Sequence, residues 1–376
     1  MPLKSRKKPA IRFFAELGSH TGYGMASRNF CKVFSESFID TKFAFSQRTK
    51  DKFPAFVNSL NNYSGKTSVD FYLHAPPYDK HSSLNYKVGY FYWEADKLPE
   101  IWRSSITKLD EIWAPCELVK KACLRSGFRG PIKIVPTPSD LKKTDLKISI
   151  PSPLSMEYVL SEDVFKFYSI FQWHERKGYK ELLISYFKEF KNTDNVVLIL
   201  KVNPLNVLSY TRERIRIDIL RIKKKLNLKD YPKVYLIDEI ISEDQVCAIH
   251  RYSDCYVSAH HGEGWGMPIH DALYMGNHVI APKYGGVVEF FDSKSCNLID
   301  FDMGPVKNME WSRLYSSNQS WAYPKIKSIR KNMRNVYENS DSLKYKTKNA
   351  QVIASSMTVK SVIKIVEDSY LKLGRR

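Results

Sequence analysis

Short β-branched or aromatic runs alternate with helix-like stretches along most of the chain, and this alternation limits the possible folds more than any other feature. Six runs lie near 11–15, 42–46, 69–74, 87–92, 111–115 and 132–136. A second series follows at 165–171, 195–202, 233–237, 254–258, 278–281 and 296–299. Between them apolar residues recur at helical spacing, most clearly over 179–190, 211–226 and 243–252. Strands separated by helices pair in parallel, because each helix carries the chain back across the sheet. The pattern therefore predicts two parallel-sheet α/β domains, and 376 residues suffice for two sizeable cores. The polar stretch 136–155, with Pro136, Pro138, Pro151 and Pro153, reads as the linker between them.

Composition narrows the class. Hydrophobic residues make up 43% and aromatics 13%, which is globular and not disordered. No uninterrupted apolar run approaches the ~20 residues that span a bilayer. The basic stretch Met1–Pro9 is not followed by the apolar core of a signal peptide. The six cysteines, Cys31, Cys116, Cys123, Cys247, Cys255 and Cys296, show neither Cys-x-x-Cys nor zinc-like spacing. Free thiols in a reducing, cytoplasmic compartment are the expectation. The net charge of +19 is uneven: +11 over residues 1–150, −1 over 151–300 and +9 over 301–376. Basic ends attract anionic lipid, nucleic acid or an acidic acceptor, and a lysine-rich bias with solvated side chains explains them equally well.

The segment 258–289 carries the most chemistry. Glu263 and Asp271 stand eight positions apart with Gly264, Trp265 and Gly266 after the first, and Gly285-Gly286 precedes Glu289. Glycines without a Cβ let a ligand approach the backbone. Pro268 suits the first turn of a helix, predicted over 268–275 with Asp271 in that turn. A helix start presents N–H groups and a positive dipole end, which suits a diphosphate. Two carboxylates beside such a site suit neutral hydroxyls, not the phosphate itself. Hydroxyls on both sides of a diphosphate describe a nucleotide-sugar.

This segment resembles the donor-binding motif of retaining GT-B glycosyltransferases, in particular glycosyltransferase family 4, which has two glutamates separated by seven residues and then a Gly-Gly turn. The resemblance implies that Glu263 contacts the transferred sugar and that Asp271, one methylene shorter than the family residue, contacts the ribose. Gly264, Trp265, Gly266 and Gly286 would complete the donor site. Residues 170–178, Ile-Phe-Gln-Trp-His-Glu-Arg-Lys-Gly, are similar to the family's Arg-x4-Lys-Gly, whose cations meet the leaving diphosphate. Lys177 matches the lysine, Gln172 stands at the arginine position, and Arg176 is the proposed replacement. The glycine-rich turn after the first run, with Gly18, Gly22 and Gly24, looks like the family loop facing the diphosphate and the acceptor. His20 in that loop, His74 at the end of a predicted strand and Glu94 in the stretch 89–117 are acceptor-side candidates.

Other features carry less. His260 and His261, on an extended strand, would point to opposite faces and chelate poorly. Asp300-Phe301-Asp302 follows the donor motif, which is the wrong place for a metal-binding Asp-x-Asp. Lys201 ends a buried-looking run, from where it reaches the site or snorkels to water.

The resemblance implies a GT-B fold of two Rossmann-like domains, 1–150 for the acceptor and 151–350 for the donor, facing across a cleft. Residues 351–376 would return as a helix onto the first domain. It implies hexosyl transfer with retention from a UDP- or GDP-sugar, without metal or bound cofactor. The acceptor would be a glycan or lipid-linked glycan at an anionic membrane face, with nucleic acid the lesser expectation. A nucleic-acid-modifying transferase, a nucleotide-sugar epimerase and a catalytically silent GT-B scaffold remain open alternatives.

Overall fold

The computed structural model describes residues 9–17, 21–45, 60, 62–78, 84–141, 163–203, 212–309 and 312–374. His20, Gly18 and most of the Pro-rich linker lie outside them. The chain divides into two compact units, Met1–Asp140 with Ser356–Arg376, and Leu141–Ser355. The sequence reading had placed the boundaries at 150/151 and 350/351.

The first unit is built on strands β1 (Ile11–Ala15), β2 (Thr41–Phe45), β3 (Val69–Leu73), β4 (Tyr86–Tyr90), β5 (Glu111–Ala114) and β6 (Ile132–Ile134). They form one parallel sheet in the order β2-β1-β3-β4-β5-β6. Helix α1 (Gly22–Glu36) follows β1 and α2 (Glu117–Arg125) follows β5. Phe13, Phe34 and Phe71 pack with ring centroids 5.1–5.6 Å apart between α1 and the sheet.

The second unit repeats the plan with β7 (Phe165–Gln172), β8 (Val196–Asn203), β9 (Lys233–Ile237), β10 (Cys255–Val257), β11 (His278–Pro282) and β12 (Asn297–Ile299). The order is β12-β11-β10-β7-β8-β9, all parallel. Helices α3 (Tyr179–Glu189), α4 (Arg212–Leu226), α5 (Glu243–Tyr252) and α6 (Met267–Met275) make the crossovers. Parallel strands covered on both faces are nearly continuous apolar runs; Val196 to Leu200 form one in β8, and the burial extends through Lys201 to Val202. In β8, Leu198, Leu200 and Val202 join Leu182, Leu183 and Tyr186 of α3 in the core.

A hairpin absent from the sequence reading follows β12: β13 (Phe301–Pro305) pairs antiparallel with β14 (Ser320–Pro324). Asp302 belongs to it and pairs with Lys325 at 2.9 Å. Helices α7 (Ile326–Asn339) and α8 (Lys344–Ser355) complete this unit. The final helix, α9 (Val359–Leu371), is part of the first unit. Thr358 caps it, Val362, Val366 and Tyr370 are buried, and the Tyr370 hydroxyl donates to Pro9 O at 2.7 Å. Among the described residues no helix is long and apolar enough to cross a membrane.

Candidate functional site

In the second sheet the chain runs outward from β7 to β9 on one side and from β10 to β12 on the other. Loops that leave the C-terminal ends of the two central strands diverge there, and that is where open α/β sheets hold ligands. The loop after β7 brings Arg176 and Lys177; the loop after β10 brings Glu263.

Backbone contacts fix these loops. A 3₁₀ turn, Glu175–Lys177, ends at Gly178 with φ +64°, in the left-handed region. A Cβ at Gly178 would lie 1.7 Å from Ala259 O, so only glycine lets the turn close against the other loop. The His261 N–H donates to Arg176 O at 2.7 Å. From the third loop, the Gly286 N–H donates to Glu263 O at 2.7 Å, and a Cβ on Gly286 would meet Gly264 O at 2.4 Å. The amide of Gly286, a donor-site candidate, is therefore spent on the Glu263 loop. The same loop is held from beyond β12: the Ala322 N–H donates to His261 O at 2.9 Å, and Trp321 and Tyr323 pack on the His261 ring at 5.1 and 4.9 Å.

The charges converge inside this frame. Lys177 Nζ donates to Glu263 Oε1. Arg176 Nη1 lies 3.6 Å from Glu263 Oε2 and donates to Gly262 O at 2.8 Å. The three side chains are 11–15% exposed. Burial pushes the Glu263 carboxyl upward, but Lys177 and Arg176 outweigh it and hold the pKa at about 2. His260 accepts from Ser258 Oγ and donates to Tyr284 O at 3.0 Å, and burial lowers its pKa to about 4. Burial, then Arg176 and Lys177, also keep His174 far below its ordinary value. At neutral pH both rings are uncharged, so the cluster holds two cations and one carboxylate.

The remaining candidates fall in varied places. Gly266 has φ +89° and caps α6, which starts at Met267. Asp271 is thus in the second turn of α6, not the first as expected, because Pro268 occupies the second helical position. Its carboxylate lies 3.5 Å from His270 Nδ1. The Trp265 side chain is 3% exposed and packs on Phe290 at 5.1 Å, so it serves the core and not an open surface. His260 and His261 lie beyond β10, not within it, and diverge: His261 Nε2 turns to Glu181 Oε1 at 3.5 Å.

In the first unit, Gly22 and Gly24 belong to the first turn of α1 and not to a loop before it. The Gly24 N–H is spent on the capping Thr21 Oγ1 at 3.0 Å. Tyr23 Oη accepts from the Tyr92 N–H at 2.9 Å and so ties this turn to the segment after β4. Glu94 follows in that segment, and its charge is felt at Tyr23. His74 follows β3, with Nδ1 2.9 Å from Ala75 O. The α1 start, His74 and Glu94 share the C-terminal edge of this parallel sheet. The residues that sequence reasoning missed are Trp321, Ala322 and Tyr323; their two-residue alternation is too short to stand out.

No protein-family model matches the chain, and no curated protein matches it. Solved structures do. Anabaena Alr3699/HepE in complex with UDP aligns with TM-score 0.67 at 13% identity, covering 97% of this chain and 100% of that one. Sucrose-phosphate synthase from Thermosynechococcus elongatus gives 0.67 at 12%, covering 97% and 99%. The E. coli trehalose-6-phosphate structure bound with UDP-2-fluoro glucose gives 0.68 at 10%, covering 98% and 100%. At such identities the likeness speaks for architecture, and with two six-stranded parallel sheets, each flanked by helices, the chain has the GT-B fold.

Proposed function

We propose that the protein is a glycosyltransferase that moves a hexose from a UDP- or GDP-sugar to a hydroxyl of a glycan or lipid-linked acceptor, with retention of configuration. The observation that carries this reading is the buried Lys177–Glu263–Arg176 cluster at the divergence of β7 and β10 in a GT-B fold. Structural relatives of that fold were solved with UDP or UDP-glucose.

In this reading Lys177 and Arg176 face the diphosphate and stabilise the charge that grows as it departs. Glu263, an ionised acceptor-only group, takes hydrogen bonds from sugar hydroxyls. Asp271 does the same for the ribose. The C1–phosphate oxygen bond breaks as the acceptor oxygen bonds C1 on the same face, and the hydroxyl proton passes to the departing phosphate oxygen. No protein nucleophile, metal or bound cofactor takes part; the protein positions and stabilises. His74 and Glu94 are the acceptor-side groups. The basic charge of residues 1–150 supports an acceptor presented at an anionic membrane face from the cytoplasm.

Proton NMR of UDP- and GDP-hexoses incubated with the protein tests this, with water as the slow acceptor. The expected result is release of nucleoside diphosphate and, from an α-linked donor, the α-hexose first, with Glu263→Ala inactive. Release of the β-anomer first would overturn retention. A changed sugar still joined to its nucleotide would replace transfer with epimerisation.

A further inference from the structure

Lys201 is a buried cation that the donor site has not yet used, and its assignment rests on the nucleotide-sugar reading. It lies in β8 and alternates with Leu198, Leu200 and Val202, so its side chain leaves the sheet on the face away from their core. It is 4% exposed. Its Nζ turns to the C-terminal end of the strand, donating to Asn203 Oδ1 at 2.5 Å and Val202 O at 3.4 Å. Among the described residues no carboxylate forms an ion pair with it. Its register partners are apolar, Ile170 on β7 and Ile237 on β9. The charge it feels is Asp238 after β9, which is flanked by Arg212 and Arg216 of α4 at 3.9 and 3.6 Å. Burial lowers its pKa to about 8, with Asp238 opposing.

A buried ammonium without a direct ion-pair partner is costly unless something anionic completes it. Position says what that is. Asn203 is the register partner of Gln172, the last residue of β7, and adjacent strands are ~4.8 Å apart. The Lys201 ammonium therefore stands near the C-terminal ends of β7 and β8, where the loop that goes on to Arg176 and Lys177 leaves the sheet. Those two cations share the Glu263 carboxylate, and Gln172, at the end of β7, adds no charge. We propose that Lys201 is a third cation of this site, binding the diphosphate of the nucleotide-sugar.

The test is calorimetric titration of UDP and GDP into wild type, Lys201→Met, Lys201→Arg and Lys177→Met at about pH 7 and about pH 9. Wild-type affinity should fall between the two, as Lys201 loses its proton, and binding at about pH 8 should take up protons, seen as a buffer-dependent enthalpy. Lys201→Met should bind about tenfold or more weakly at the lower pH and lose that pH dependence, with Lys201→Arg restoring much of the affinity. Lys201→Met should also melt no lower than wild type, since it removes a buried unpaired charge. Lost affinity in a protein at least as stable separates a ligand contact from a folding defect. Wild-type affinity and pH dependence in Lys201→Met, while Lys177→Met binds nothing, would overturn the assignment and leave the donor reading standing. A wild type that binds neither nucleotide overturns both.

Discussion

The ion cluster at Glu263 makes a stability prediction that needs no substrate. Glu263 is 9% exposed, and its pKa stands at about 2 against an ordinary 4.5. A carboxyl held below its ordinary value contributes stability that is present above pH 4.5 and lost as pH falls towards 2. At 1.36 kcal/mol per pH unit the contribution is about 3 kcal/mol. Glu263→Gln removes it and takes from Lys177 and Arg176 the carboxylate they share, and removing one partner of a buried pair costs about 3–5 kcal/mol. The expected loss is of that size at neutral pH and shrinks as pH falls from about 4.5 towards 2, where the unfolded chain takes up the proton that folded Glu263 refuses. Lys177→Met should be destabilising in the wild type, yet neutral or stabilising in the Glu263→Gln background, where the lysine lacks its partner. Denaturant titration of the double-mutant cycle, read on the transition that Glu263→Gln shifts, should give a coupling of about 2–3 kcal/mol. An equal cost of Lys177→Met in both backgrounds would refute the reasoning.

Three other outcomes follow from single contacts. Gly178→Ala puts a Cβ 1.7 Å from Ala259 O at a positive φ, so it should cost more than about 3 kcal/mol in thermal denaturation; a loss under about 1 kcal/mol would contradict the loop contact. Trp321→Leu removes a fully buried ring that packs on His261, so it should lower the melting temperature and also weaken nucleotide binding; unchanged binding would mean that the hairpin does not brace the Glu263 loop. Lys201, with its pKa lowered to about 8, should make the unliganded protein gain stability as pH rises from there towards the ordinary 10.5, by ~3 kcal/mol in total; Lys201→Met should lack that rise in pH-dependent denaturation.

Both sheets were legible in the sequence because a parallel strand covered on two faces must be an unbroken apolar run, as Val196–Leu200 is. The glycine spacing of 258–289 was legible because close backbone approach leaves no choice at Gly285 and Gly286. What those glycines approach was not: Gly286 meets the Glu263 loop, and Gly24 spends its amide on Thr21. Spacing cannot say which amides are already used. The start of α6 was misplaced by one residue because proline is tolerated at more than one position of a first turn, and that moved Asp271 from the fourth helical position to the fifth. Arg176 and Lys177 are adjacent, and only the 3₁₀ turn that ends at Gly178 brings both to one carboxylate. The β13–β14 hairpin went unseen because Phe301–Pro305 is short and half exposed.

The central claim is that the Glu263–Lys177–Arg176 site binds a nucleotide-sugar. Thermal shifts of the wild type and Glu263→Ala with UDP-, GDP-, ADP- and dTDP-sugars, each with chelator present, test it most directly. A ligand that binds only the folded state at a hundred times its dissociation constant adds ~2.7 kcal/mol, readily visible as a raised melting temperature. The expected result is one nucleotide-sugar that stabilises the wild type without metal and stabilises Glu263→Ala far less. A flat panel, or equal stabilisation of both proteins, would contradict the claim.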